Sequence, residues 1–287
     1  MKKLVTVTCD RDLNQLILQS HSIDLFVKEK IQHFIFVENT TKSIEDWYKI
    51  LKPFYSKHDL QLFLQNVNAD MHGWYNQQII KLNAVNYIND DYIVLDSKNF
   101  FIKPTNLNYT IPEGSYLLLD STGWTDKFSK YLKNVYNLSV PTYFYTQQTP
   151  FFMRKSVVER ILTSIDINKL FVDCAKEQIY PSEFLLYGIF SDIKPNKKEW
   201  NKNYESHTIY FTWWWNYQIE ESEFENIYNS TVDILGIHKN VWFHKNNKIK
   251  ILCNWLVSKG LNLRYVAPAT INMDWGDTYL QDESPTL

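Results

Sequence analysis

Three acidic residues occupy the same kind of position in this sequence. Asp10, Glu38 and Asp96 each follow a short apolar, β-branched run, at residues 4–8, 32–37 and 92–95. In open α/β sheets, ligands sit beyond the carboxyl ends of the strands, so three acids at such ends mark a candidate ligand site. Acids also form turns, and Asp10 reads equally well as an Asx-turn. Asn39 stands beside Glu38. Gln77, Gln78 and Lys81 lie on a helix-like segment beyond Gly73, where Gln77 and Lys81, four apart, share one face. Glu183 and Tyr187 have the same spacing on a later segment. His238 and His244 are six apart and share no helical face, so they form no histidine metal pair. On a strand, Trp213 and Trp215 point one way and Trp214 the other. Phosphate-binding loops and the Gly-x-Ser-x-Gly elbow are absent from the sequence.

The elements that position these residues alternate. Strand patterns at 4–8, 32–37, 60–64 and 92–95 are separated by helix patterns at about 12–26, 43–55 and 73–82. Such alternation predicts βαβ units and a parallel sheet. The second half is less regular. It offers a strand at 116–119, an aromatic run at 143–153, and a helix at 155–165 with Ser156 as N-cap and Glu159 at capping-box spacing. A helix at 182–190, a strand at 207–217 and a helix at 249–259 follow, the last ended by Gly260.

Composition bounds the rest. The chain has 287 residues, 45% apolar, 16% aromatic and 22% charged, which makes a core-forming composition rather than a disordered one. With a net charge of -2 and no basic stripe interleaved with aromatics, a nucleic-acid partner is not expected. Three cysteines, Cys9, Cys174 and Cys253, lie far apart, which argues against a disulfide scaffold or zinc ribbon and for a reducing, cytoplasmic setting. No stretch approaches the roughly 20 apolar residues of a membrane span.

Residues 92–104, Tyr-Ile-Val-Leu-Asp-Ser-Lys-Asn-Phe-Phe-Ile-Lys-Pro, resemble the strand-end motif of GT-A fold glycosyltransferases. There a strand ends in Asp-x-Asp, and an aromatic-rich strand leads to a basic residue and proline. Gly73-Trp74 with Gln77-Gln78 and Lys81-Leu82 is similar to the helix before that motif in a group of GT-A-like proteins of uncharacterised activity. Residues 149–153, 182–188 and 236–238 are similar to later landmarks of that group, so the resemblance spans roughly residues 3–262.

The resemblance implies an α/β, GT-A-like single domain over residues 1–270, with a mixed central sheet flanked by helices and an acidic tail at 271–287. It implies transfer of a sugar from a nucleotide-diphosphate sugar to a hydroxyl acceptor, in glycan or surface-polysaccharide synthesis. The alternative is a catalytically silent module of this fold that binds glycan or protein. In the family, Asp-x-Asp holds the donor diphosphate through Mn²⁺ or Mg²⁺, because the leaving group gains negative charge as the bond breaks. Here the motif reads Asp96-Ser97-Lys98. Three readings stay open. Lys98 supplies the charge without a metal; Asp10 or Asp120 completes a metal site with Asp96 and His238; or catalysis has been lost. The family pattern assigns the donor to Asp10, Glu38, Gln77, Gln78, Lys81, Asp96, Lys98 and His238. It assigns the acceptor to Tyr187 and Trp214, and the acid-base role to Glu183.

Overall fold

The structure, a computed structural model, describes residues 1–38, 40–67, 71, 73–107, 118–119, 123–140, 144–145, 149–191, 210–213, 221–230, 232–237, 255 and 258. The first half contains β1 (Lys2–Cys9), α1 (Leu13–Phe26), β2 (Ile31–Glu38), α2 (Ile44–Leu51), β3 (Asp59–Gln65), α3 (Gly73–Asn83), α4 (Val85–Ile88), β4 (Tyr92–Asp96) and β5 (Asn99–Phe101). Then come β6 (Leu118–Leu119), α5 (Gly123–Tyr136), β7 (Phe144–Tyr145), β8 (Phe151–Met153), α6 (Lys155–Ser164), α7 (Ile167–Lys176), α8 (Glu183–Phe190), β9 (Tyr210–Trp213), α9 (Glu221–Tyr228) and β10 (Ile234–Ile237).

The main sheet has the order β3-β2-β1-β4-β8. The first four strands are parallel, as the alternation predicts, and β8 runs antiparallel along β4. Register aligns Cys9 with Glu38 and Val7 with Asp96, so the acids that follow β1, β2 and β4 gather at one end. The two faces carry different helices. Thr6 bonds Gln19 of α1, while Asp96, level with the next residue Val7, bonds Lys81 of α3. Neighbouring residues on a strand point to opposite faces, so α1 covers one side and α3 the other. Coverage on both sides explains why Leu4, Val5, Ile35, Phe36, Val94 and Leu95 are all buried.

Smaller sheets pair β5 with β10 and β9, and β6 with β7. The strand predicted at 207–217 is seen at Tyr210–Trp213. The helix predicted at 249–259 falls mostly outside the described residues, although Trp255 and Ser258 are helical. Among the described residues, no helix is long and apolar enough to cross a membrane.

Two local expectations change. The helix expected over 43–55 stops at Leu51, and a 3-10 turn, Lys52–Phe54, carries Pro53 where its missing N–H costs nothing. Ser43 and Asp46 close a capping box at the start of this helix. The box expected at Ser156 does not form, because Ser156 already lies inside α6, whose N-cap is Arg154. That end is held from a distance instead: the Lys155 N–H donates to Asp91 Oδ1 at 2.7 Å.

Candidate active site

Helix α3 lies across the carboxyl ends of the strands. One turn apart on it, Gln77 Nε2 donates to Glu38 Oε1 at 2.9 Å and Lys81 Nζ to Asp96 Oδ1 at 2.9 Å. The i, i+4 face expected from the sequence therefore reaches the ends of both β2 and β4. Lys81 also donates to Glu183 Oε1 of α8 at 3.0 Å, and its side chain is only 8% exposed. The second Asp96 oxygen is held by Lys98 Nζ at 2.9 Å. The four charges form a ladder, Lys98–Asp96–Lys81–Glu183, with alternating sign.

Electrostatics explain why Lys81 and Asp96 stay charged. Burial alone would lower the pKa of Lys81, but the Asp96 and Glu183 carboxylates override it and raise it. Burial would raise that of Asp96, and the ammonium groups of Lys81 and Lys98 instead hold it well below the carboxylate range. For Glu183 burial dominates and its pKa rises, with Lys81 opposing it only in part.

The strand-end turn is braced by groups not singled out in the sequence. Asn99 Oδ1 accepts the Asp96 N–H at 2.8 Å and the Thr149 hydroxyl at 2.6 Å. The Asn99 side chain reaches back three residues to Asp96 and across to Thr149, a contact that no forward-running Asx-turn pattern in the sequence would reveal. At the end of β1, Asp10 opens a 3-10 turn. Its Oδ1 accepts from Thr40 Oγ1 at 2.7 Å and Lys42 Nζ at 3.2 Å, and its Oδ2 from the Thr41 N–H at 3.3 Å. Partial burial works against ionisation there, yet these bonds keep the Asp10 pKa below its ordinary value. Thr40, Thr41 and Lys42 are thus the clamp on Asp10. Glu38 is buried; among the described residues Oε2 has no hydrogen-bond partner, and desolvation pushes its pKa up to about 7 against the bond from Gln77.

Other expected residues fall elsewhere. Gln78 faces α8 rather than an open site: its Oε1 accepts the Glu183 N–H at 3.0 Å, beside the Ser182 N-cap, and its buried Nε2 has no partner among the described residues. Glu183 was expected at the acceptor side, but its carboxylate is 4% exposed and spent on Lys81. It is a counter-charge, and burial keeps it from an acceptor hydroxyl. Tyr187 is likewise corrected: it is buried edge-on against Phe151, and its hydroxyl accepts the Arg154 N–H. Trp74 packs against Tyr75 and Tyr180, as a packing residue would. His238, Trp214, Asn39 and Asp120 lie outside the described residues. A cavity of about 370 Å³, lined by residues such as Lys2, Lys30, Asp90 and Asp91, opens at the opposite ends of the strands and has no part in this site.

Among the described residues, the donor set at Asp96 does not suit a divalent cation. Such an ion needs several oxygen ligands, and both Asp96 oxygens are already on ammonium groups. Among the described residues, no three His, Cys, Asp or Glu side chains converge as a metal site.

Comparison with known proteins gives the setting. A family model described as a family of unknown function, DUF6492, matches residues 3–259. No curated protein matches the sequence. Among solved structures, the galactosyltransferase LgtC in complex with donor and acceptor sugar analogues aligns with a TM-score of 0.51 at 12% identity, covering 89% of this chain and 95% of its own. An active-site mutant of LgtC gives 0.50 at 12% identity, over 88% and 95%. The glycosyltransferase GlyE of Streptococcus pneumoniae TIGR4 gives 0.49 at 10% identity, over 96% and 61%. On the LgtC alignments, the fold is that of the GT-A glycosyltransferases: one α/β domain with a mixed central sheet flanked by helices.

Proposed function

We propose, on the premise that the chain belongs to the DUF6492 family and has the GT-A fold, that it is a glycosyltransferase. It moves a sugar from a nucleotide-diphosphate donor to a hydroxyl acceptor, in glycan or surface-polysaccharide synthesis. The observation that carries this reading is the lysine-compensated Asp96 at the carboxyl end of β4, where open α/β sheets place their ligands.

The chemistry needs positive charge at the departing diphosphate. Lys81 is held between two carboxylates in the protein interior, and Lys98, paired to the second Asp96 oxygen, is the cation this reading assigns to the phosphates. Asp96, kept ionised by Lys81, orients the Lys98 ammonium. Lys98 thereby takes the place of a metal ion, and transfer proceeds without one. Asp10, through Thr40 and Lys42, sets the loop after β2 against the nucleoside end of the donor. LgtC, a galactosyltransferase solved with donor and acceptor sugar analogues, supports the same class of substrate.

Thermal stability in a panel of nucleoside diphosphates and their sugars, with EDTA and then with Mn²⁺, tests the reading. A ligand at 100 times its Kd adds about 2.7 kcal/mol. One base class is expected to raise Tm by several degrees in EDTA. A flat response to every nucleotide, with and without Mn²⁺, would refute a donor site.

A further inference from the structure

We infer that Gln19 is a positioning residue for the turn between Asp96 and Asn99, and so for Lys98, at the end of a buried one-way chain of hydrogen bonds. The functional part of this inference rests on the reading of Lys98 given above.

Gln19 lies on α1, fully buried, on the face of the sheet opposite α3. Its Nε2 donates to the Asp96 carbonyl at 2.6 Å and to the Asn99 carbonyl at 2.8 Å. These carbonyls flank Ser97 and Lys98. A carbonyl only accepts, so the amide orientation is fixed and Oε1 must accept. It does so from Thr6 Oγ1 at 2.8 Å. The single Thr6 proton is then spent, and His33 Nε2, 2.9 Å from the same oxygen, must donate to it. His33 is buried and its pKa is pushed down to about 3, so the ring is neutral, with its proton on Nε2. Nδ1 accordingly accepts from the Tyr55 hydroxyl at 2.6 Å. The Tyr55 and Ser20 hydroxyls are 2.9 Å apart; with the one Tyr55 proton directed to Nδ1, this bond must run from Ser20 to Tyr55.

The chain runs Ser20, Tyr55, His33, Thr6, Gln19, and ends on the turn. It starts and finishes on α1 after crossing β2 and β1. Ser22 adds a second tie from the same helix: it donates to the Gln19 carbonyl at 2.7 Å and accepts the Phe101 N–H at 3.0 Å. A fully satisfied buried network of this kind specifies one geometry, where an apolar core would tolerate several. The geometry it specifies is the backbone on either side of Lys98.

The test begins on the wild-type protein without nucleotide. Long-range ¹H–¹⁵N spectra are expected to show His33 protonated on Nε2 and bare on Nδ1; a proton on Nδ1, alone or in an imidazolium, overturns the chain. In Gln19→Met, of similar length, amide exchange at residues 97–99 is expected to rise at least about tenfold while β1 and β2 stay protected, and His33 begins to populate the Nδ1–H tautomer. Unchanged exchange at 97–99 overturns the positioning role. If Gln19→Met fails to fold, Thr6→Val cuts the chain one link upstream and is read the same way. With whichever nucleoside diphosphate stabilises the wild type, Gln19→Met is expected to bind about tenfold more weakly, and equal affinity overturns the functional half. A loosened turn in a protein that binds no nucleotide would keep the anchoring and remove only the transferase reading.

Discussion

Glu38 is a buried carboxyl with one oxygen unpartnered among the described residues, and its ionisation is linked to folding. Burial raises its pKa from 4.5 to about 7. Below pH 4.5 both folded and unfolded chains hold the proton, and the group costs nothing. Between pH 4.5 and 7 only the folded chain holds it, so stability falls as pH rises. Above 7 the full penalty is about 3 kcal/mol. Glu38→Gln keeps the shape and the bond to Gln77 and gives the bare oxygen's place to a donor. Urea unfolding is expected to show the variant more stable than wild type at pH 8, by up to that amount, with little difference at pH 4.5. A pH-independent difference would mean that Glu38 does not change protonation on folding.

Three elements meet at Lys81, and their packing depends on its charge. The residue sits on α3, and its ammonium joins the end of β4 to the start of α8. Lys81→Met leaves the buried Glu183 carboxylate without its cation and Asp96 with Lys98 alone, a loss of about 3–5 kcal/mol. Adding Glu183→Gln removes one stranded charge and is expected to restore part of that stability; additive losses in the double variant would mean the two do not act as a pair. Part of this was legible in the sequence. Lys81 shares a face with Gln77, and Asp96 closes an apolar run, so both could be placed at strand ends. Glu183 could not, because its partner lies 102 positions away and only tertiary packing reveals it. The same limit explains α6, where a local Ser156 signal lost to a distant Asp91. Gln19 looks in sequence like any mid-helix glutamine, and nothing in its neighbours points to a turn 77 residues further on.

At the scale of the molecule, the parallel half of the sheet followed from apolar runs of strand length and from helix spacing between them. The later strands are short and pair out of sequence order, β5 with β10 and β10 with β9, so local pattern says little about them. What the whole fold achieves is to bring Asp10, Glu38 and Asp96 to one end of the sheet, with Lys98 paired to Asp96 there. Transfer without a metal is therefore the property to measure first. Purified protein would be incubated in EDTA with the nucleotide sugar that stabilises it, and release of nucleoside diphosphate followed by ³¹P NMR or mass spectrometry. Turnover in EDTA, unchanged by Mn²⁺ and about 10²- to 10³-fold slower in Lys98→Ala, is the expected result. Turnover that needs Mn²⁺, or that survives intact in Lys98→Ala, would contradict it.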